Sequence, residues 1–271
     1  MKPIFKTIAQ AKREYDVHYL GRVNSSAKIK KNIKVGQMTY SLYLAPAKVS
    51  GYNMCPMSTP ECRLGCLHTS GRAKMDKNGS TIIRARIIKS RLFNENREYF
   101  MQWLVAEINN AFKNAIKKGM GFSVRLNATS DVQWESVKLY GKNIFEYFPM
   151  VQFYDYTKIY NRFKKKLPAN YHLTYSYTGR NLFESIALLK KGHNVAVVFN
   201  IKDEIDLPAK WHGFEVLNGD LTDYRPNDLK GRVIGLKWKN IKDKVANEYV
   251  KHSCFVEQIG TKEKYMYPIF K

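Results

Sequence analysis

Hydrophobic and polar positions follow two different periods along the chain, and each period predicts its own kind of element. Short stretches rich in β-branched and aromatic residues, bounded by polar or turn-forming residues, are typical of strands. We predict seven strands, at Tyr40–Ala45, Gly121–Asn127, Val151–Tyr154, Tyr171–Ser176, Val195–Asn200, Phe214–Leu217 and Val233–Lys237.

Helical spacing dominates the long interval between the first two strands. Apolar residues three or four positions apart predict a helical region from Thr81 to Lys118, with a break near Asn94. Shorter helices are predicted at Val132–Tyr140 and at Leu182–Lys191, where Gly192 ends the second one.

Strands that alternate with helices predict an α/β fold with parallel strands and right-handed crossovers. Seven strands are compatible with an open doubly wound sheet or with a partial (β/α) barrel of about six to seven parallel strands. The composition changes nowhere abruptly, so we predict a single domain over residues 1–271, with residues 1–36 as a basic N-terminal extension.

In either architecture, functional side chains gather at the carboxyl ends of the strands. The polar residues there are the candidate catalytic residues: Arg125, Asn127, Asp131, Asp155, Lys158, Asp223 and Lys237. Separated carboxylates at such a site suit a divalent metal or acid–base chemistry, whereas Asp131 also suits a helix cap. No Gly-x-Gly-x-x-Gly or Walker-type loop follows a strand, which argues against dinucleotide and P-loop sites.

The charge adds a partner class to this picture. Lys and Arg number 46 against 23 Asp and Glu, a net charge of +23. So basic a surface predicts a polyanionic partner, with nucleic acid the first candidate, although a generally lysine-rich proteome would give the same bias. Residues 1–20 hold no continuous apolar stretch and no later segment is long enough to span a membrane, so we expect a cytoplasmic protein with reduced thiols.

Three of the four cysteines lie close together, directly after the first predicted strand. Cys55, Cys62 and Cys66 have the spacing C-x6-C-x3-C in a loop bent by two prolines and a glycine. In a reducing compartment this pattern favours a metal site, and three thiolates suit a 4Fe–4S cluster with one open iron or with a distant fourth ligand. Cys254 is the candidate fourth ligand, with a buried core cysteine as the alternative.

Zinc is the competing metal, because His68 would complete a Cys3His tetrahedron with the three cysteines. The loop lacks the paired C-x2-C spacing of zinc knuckles and follows a strand that leads into the predicted site. We therefore favour iron–sulfur, and expect the C-terminal segment, residues 240–271, to pack over the cluster.

Several long motifs resemble one family. The stretches YLAPAKVSGYNMCPMSTPECRLGCLHTSGR, RARIIKSRLF, SVRLNATSDVQWE, FYDYTKIYNR and NGDLTDYRPND, in this order within residues 40–239, resemble the gene product 88 family of tailed bacteriophages. That resemblance implies a protein of the infected bacterial cell. The cysteine loop also resembles radical S-adenosylmethionine enzymes, which implies a partial barrel whose first loop holds a 4Fe–4S cluster on three cysteines.

Two departures limit the second resemblance. Radical S-adenosylmethionine enzymes usually have C-x3-C-x2-C, and no Gly-Gly-Glu-like segment follows the second strand, where residues 126–131 read LNATSD. The barrel and the cluster therefore carry over better than S-adenosylmethionine as a cofactor, and ligation by Cys254 would block the open iron.

Three functional hypotheses follow. The first is an iron–sulfur enzyme with a radical-enzyme-like partial barrel that acts on nucleic acid or a nucleotide. The second is a nucleic-acid-binding protein or nuclease whose cluster is structural. The third is a zinc-stabilised interaction protein without catalysis.

Overall fold

The structure, a computed structural model, describes residues 7–69 and 81–259. Within these described residues the main sheet has nine strands, and a separate hairpin has two. In chain order the strands are β1 Gln37–Ser41, β2 Gly121–Arg125, β3 Lys138–Leu139, β4 Lys142–Asn143, β5 Gln152–Thr157, β6 Tyr171–Ser176, β7 Val195–Asn200, β8 Lys210–Trp211, β9 Phe214–Asn218, β10 Val233–Lys237 and β11 Glu257–Gln258.

The main sheet is mostly parallel, which confirms the predicted α/β class. Its order is β1-β2-β5-β6-β7-β10-β9-β8, with β8 antiparallel to β9 and β11 parallel to β7. Strand β1 begins and ends earlier than the predicted Tyr40–Ala45. It does not reach Ala45, because the Ala45 N–H donates to the Ser90 hydroxyl instead of to a neighbouring strand. Leu42, Leu44 and Ala45 stay buried beyond the strand, so the apolar pattern continues where the ladder stops.

A radical-enzyme-like barrel is not confirmed. Each strand of a (β/α) barrel lies beside its successor, but here β10 lies between β7 and β9, so the last two parallel strands exchange places. Strands β6 and β7 pair only at Tyr175–Val195 and Ser176–Ala196, and the far end of β7 pairs with β11. Among the described residues the path begins at β1 and ends at β8.

The α-helices are α1 Ile8–Tyr15, α2 Ala27–Lys30, α3 Pro60–Leu64, α4 Thr81–Glu95, α5 Arg97–Lys117, α6 Ile144–Tyr147, α7 Leu182–Lys190 and α8 Lys244–Lys251. The predicted helical region after β1 is confirmed as α4 and α5. Its break lies at Asn96 instead of Asn94, because the Asn96 side chain accepts a hydrogen bond from the Tyr99 N–H at 3.2 Å and caps α5.

The helix predicted at Val132–Tyr140 is wrong. A single 3₁₀ turn at Trp134–Ser136 is followed by the β3–β4 hairpin, whose turn has positive φ at Tyr140 and Gly141. Trp134 is fully buried against Phe93 and Phe100 of the long helices. The apolar spacing of this segment thus comes from separate core contacts, not from one helical face.

Helices α4 and α5 cover one face of the sheet and form the larger core with β1, β2 and β5. The apolar face of α5 is buried at helical spacing, at Phe100, Trp103, Leu104, Ile108, Ala111 and Ala115. A second cluster joins β6 and β7 to α7. The opposite face of the sheet carries polar side chains, including Thr39 and Ser123, whose hydroxyl oxygens are 2.8 Å apart.

Both chain ends pack onto this frame. From residue 7 onward the segment predicted as an extension buries Ala11, Val17 and Leu20, and residues 1–6 lie outside the described residues. In the C-terminal segment, whose residues 260–271 are also outside them, α8 lies against α3 of the cysteine loop. Among the described helices, none is both long and apolar enough to cross a bilayer.

Candidate functional site

A cavity of about 240 Å³ opens at the carboxyl ends of the parallel strands. The loop after β1 lines one side of it with Cys55, Cys62 and Cys66. Arg125, the last residue of β2, and Lys158, directly after β5, line it beside the cysteines. The structure thus brings the three thiols into one space with six of the seven predicted polar residues, all except Asp155.

The cysteine loop owes its shape to local capping. The Thr59 hydroxyl accepts a hydrogen bond from the Cys62 N–H at 3.2 Å, and Pro60 occupies the first turn of α3, where no donor is lost. Gly65 ends α3, and a Cβ there would lie 2.8 Å from Trp238 and 2.9 Å from Val250. Only glycine therefore lets this loop pack so closely under the C-terminal segment.

Two buried thiols and a neighbouring cation set the electrostatics of the loop. Burial raises the pKa of Cys55 to about 11 and that of Cys66 to about 12. Burial by itself would lower the pKa of Lys158, but the neighbouring Cys62 and Asp131 outweigh it and raise this pKa. A bound metal would supply the positive charge that keeps such thiols deprotonated.

The two other candidate metal ligands, Cys254 and His68, do not line the cavity. Sγ of Cys254 lies 2.8 Å from where a Cβ on Gly179 would be. Within residues 7–69 and 81–259, no three His, Cys, Asp or Glu side chains form a group able to hold a single metal ion. A 4Fe–4S cluster needs its cysteine ligands further apart than a single metal ion does, because each cysteine binds a different iron.

Arg125 and Asp223 form the polar centre of the site. Nη1 of Arg125 lies 3.1 Å from both carboxylate oxygens of Asp223, and the Tyr154 hydroxyl donates to the same carboxylate at 2.9 Å. The Asp223 N–H donates to Asn32 at 2.8 Å. Burial raises the pKa of Asp223, but the charges of Arg125, Lys28 and Arg225 together outweigh burial and hold this pKa below its usual value.

Asp220, a second acid beside this centre, contacts lysines from distant parts of the chain. Asp220 lies 3.5 Å from Nζ of Lys28 and 3.4 Å from Nζ of Lys239, and it accepts a hydrogen bond from the Lys237 N–H at 2.8 Å. Burial lowers the pKa of Lys28, with Asp223 and Asp220 opposing that shift. The predicted residue Lys237 lines the cavity, and its Nζ donates to the Lys202 carbonyl.

Comparison with known protein families covers the part of the chain that holds these site residues. The family model described as Gene product 88 matches residues 18–250, most of the chain. The chain belongs to the gene product 88 family. No curated protein matches it, and no solved structure matches it. The resemblance of the cysteine loop to radical S-adenosylmethionine enzymes stays a prediction.

In this gene product 88 family member, Asn127 and Asp131 line the cavity but are committed to the backbone around them. The side-chain oxygen (Oδ1) of Asn127 accepts hydrogen bonds from the Val132 N–H at 2.9 Å and from the Trp134 ring N–H at 3.1 Å. Asp131 accepts from Thr157 at 2.7 Å and from the Lys158 N–H at 2.8 Å, instead of capping a helix. Both residues shape the loops that present Lys158.

Asp155 faces away from the cavity. Tyr154 and Tyr156 point toward Asp223 and the cavity, so strand alternation turns Asp155 to the helix-covered face. There it is fully buried and accepts from the Asn127 N–H at 2.6 Å and from the Tyr171 hydroxyl at 2.8 Å. Burial raises its pKa to about 7.

Four residues that line the cavity were not predicted from the carboxyl ends of the strands. Trp238 and Lys239 directly follow β10, so reading two residues further would have found them. Lys28 and Phe255 come from the two terminal segments, and nothing in their local sequence marks them.

Proposed function

We propose that this protein is an iron–sulfur enzyme that holds a 4Fe–4S cluster on Cys55, Cys62 and Cys66 and acts on nucleic acid or a nucleotide. The observation that carries the proposal is that the three thiols line the same cavity as Arg125 and Lys158. Three ligands for four irons leave one iron open to that cavity.

The position of Cys254 supports an open iron. Its thiol lies near Arg180 and Glu61, outside the residues that line the cavity. Arg180 is itself bound to the buried Glu61 of α3 at 2.5 Å, which ties the cysteine loop to the loop after β6. We assign to Cys254 a place in this packing and not in the cluster.

A bound 4Fe–4S cluster supplies single electrons to a ligand at its open iron. The chain's own residues hold that ligand: Lys158 and Arg125 present positive charge to it, and Asp223 keeps Arg125 in place. Hydrogen bonds from Thr157 and Lys158 to Asp131 join the loops after β2 and β5 and fix the backbone of Lys158 at the cavity. This arrangement of positive charge suits an anionic substrate.

Anaerobic reconstitution with iron and sulfide tests the cluster. We expect a brown protein that absorbs near 400 nm, with about four irons and four sulfides per chain. Cys55→Ala, Cys62→Ala and Cys66→Ala should each lose most of the iron, whereas Cys254→Ala should keep it. A colourless wild-type protein, or loss of iron in Cys254→Ala alone, contradicts the proposal.

The nucleic-acid part of the proposal rests on the net charge of +23. Lysines and arginines that neutralise phosphates release counterions, so affinity should fall steeply with salt. We expect a gel shift with single-stranded or duplex DNA or RNA at about 50 mM salt that disappears near 200 mM salt. Absence of any shift at low salt would remove a nucleic-acid strand as the partner.

His68 favours zinc as the second candidate. Its Nδ1 is buried and has no hydrogen-bond partner among the described residues, and burial lowers its pKa, which keeps the imidazole neutral as a ligand must be. Metal analysis of protein purified without oxygen decides between the two. One zinc per chain that is lost in His68→Ala would replace the iron–sulfur proposal with a structural zinc site.

A further inference from the structure

The geometry points to a nucleotide-phosphate site in the cavity, in which Lys158 and Arg125 bind the phosphate of a single nucleotide, free or at the end of a strand. This inference rests on the proposed function and names the substrate of the same site. Two cations of the cavity, Lys158 and Arg125, have donor groups that no described residue uses.

Lys158 is such a cation. Its Nζ makes no hydrogen bond or ion pair with any residue of the described chain, although its backbone N–H is fixed to Asp131 at 2.8 Å. The backbone anchor fixes where the side chain begins, while the ammonium group stays available. A half-buried lysine whose ammonium feels nearby Asp131 but makes no hydrogen bond or close ion pair in the described chain suits an anion that arrives with the substrate.

Arg125 has donors to spare. It uses only Nη1 for Asp223, and none of its other guanidinium nitrogens bonds to a described residue. Its guanidinium carbon lies 4.8 Å from the centre of the Tyr156 ring, which holds the plane of the group. A guanidinium fixed by a carboxylate on one side and an aromatic ring on the other is preorganised for a planar, multi-oxygen anion.

The cavity has an apolar side as well as a cationic one. Val198 and Leu236 line it together with the aromatic side chains of Trp238 and Phe255. Flat aromatic surface beside Lys and Arg is what nucleobases bind without sequence preference. At about 240 Å³ the cavity is below the range of drug-sized pockets, so it accommodates one nucleotide at most.

The fixed charges of the cavity leave room for an anion. Lys28, Arg125, Lys158, Lys237 and Lys239 line it against Asp131, Asp220 and Asp223, which is five cations against three carboxylates. The two acids near Arg125 are already paired with Arg125, Lys28 and Lys239. Lys237 donates its Nζ to the Lys202 carbonyl, whereas the Lys158 ammonium, beside the thiols, has no hydrogen bond or ion pair among the described residues.

Calorimetry with adenosine 5′-monophosphate and with uncharged adenosine tests the site. We expect the monophosphate to bind and adenosine to bind at least about tenfold more weakly, because a charge-assisted hydrogen bond is lost with the phosphate. Equal affinity for the two, or binding of neither, overturns the inference. Oligonucleotides with 5′-phosphate or 5′-hydroxyl ends then show whether the phosphate is taken from a free nucleotide or a strand end.

Matched lysine variants separate a built site from general charge. Lys158→Gln should weaken monophosphate binding about 10- to 100-fold and should leave adenosine binding unchanged. Lys164→Gln removes the same charge from an exposed position outside the cavity and should bind like wild type. Equal weakening in both variants contradicts the inference, because it would report only the overall field.

Iron content keeps the two proposals apart. A protein that binds no cluster but loses monophosphate binding in Lys158→Gln would contradict the iron–sulfur proposal and support the phosphate site. A protein with a full cluster and no preference for the phosphate would do the reverse. Circular dichroism of Lys158→Gln that matches the wild-type spectrum shows that any loss of monophosphate binding comes from the lost ammonium group and not from unfolding.

Discussion

Arg125 reaches both carboxylate oxygens of Asp223 at 3.1 Å, although the two residues lie 98 positions apart in the chain. The Asp223 side chain is 1% exposed, so the pair is shielded from water. The contact ties the loop after β9 to the end of β2 across the polar face of the sheet. It therefore sets both the stability of this region and the direction in which Arg125 faces the cavity.

Asp223→Asn should destabilise the protein strongly, because it leaves the Arg125 guanidinium buried without its carboxylate. Removal of one partner of a buried ion pair typically costs about 3–5 kcal/mol, and we expect a loss of that size in urea unfolding at pH 7. The exposed Asp16→Asn, which loses the same charge, should change the unfolding free energy by less than about 0.5 kcal/mol. Equal midpoints for the two variants would contradict the structural role of the pair.

Asp155 predicts an unusual dependence of stability on pH. Its pKa is about 7 in the folded protein against 3.8 for a free carboxyl, so between these values the folded state holds the proton more tightly. Each pH unit in this window should lower the unfolding free energy by up to about 1.4 kcal/mol as the pH rises, with no further change above the folded pKa.

Asp155→Asn isolates this contribution. The difference in unfolding free energy between wild type and Asp155→Asn should shift in favour of the variant between pH 5 and pH 8. An unchanged difference across that range would show that the Asp155 carboxyl titrates normally.

The thiols of the metal-free protein should react slowly at pH 8. A pKa near 11 for Cys55, about two units above the value for a free thiol, leaves roughly a hundredth of the usual thiolate. Pulse alkylation with iodoacetamide, read by mass spectrometry, should therefore modify Cys55 about 100-fold more slowly in the folded than in the unfolded protein, and Cys66, whose pKa is about 12, more slowly still. Equal rates in both states would contradict the burial of these thiols.

Gly65→Ala should separate the C-terminal segment from the cysteine loop. The added Cβ would lie 2.8 Å from Trp238 and 2.9 Å from Val250, both packed side chains, and overpacking of this kind costs about 1–3 kcal/mol. We expect a lower thermal midpoint together with faster alkylation of Cys66. Leu64→Ala, at an exposed neighbouring position, is the control and should change neither measurement appreciably.

The fold was predictable where one local pattern served one contact surface. The α5 helix keeps a single buried stripe from Phe100 to Ala115, so its apolar spacing identified it. Residues 132–140 mislead because Trp134 and Leu139 are buried by unrelated contacts, and periodicity cannot distinguish one shared face from several separate ones.

The candidate site was also predictable in part. The amino-acid sequence by itself determined the parallel α/β frame, and strand-end reasoning placed Arg125, Lys158 and the cysteine loop at one edge of it. Those inferences hold because the carboxyl ends of parallel strands meet at a common edge whatever their order.

Only the tertiary structure decided which side chains share the cavity. It placed Lys28 beside Asp220 from the N-terminal segment, turned Asp155 to the helix-covered face, and left Cys254 beside Gly179. It also put β10 between β7 and β9, an exchange that no local pattern encodes. These outcomes depend on contacts between residues far apart in the chain, and local propensity and spacing carry no information about which distant partners will meet.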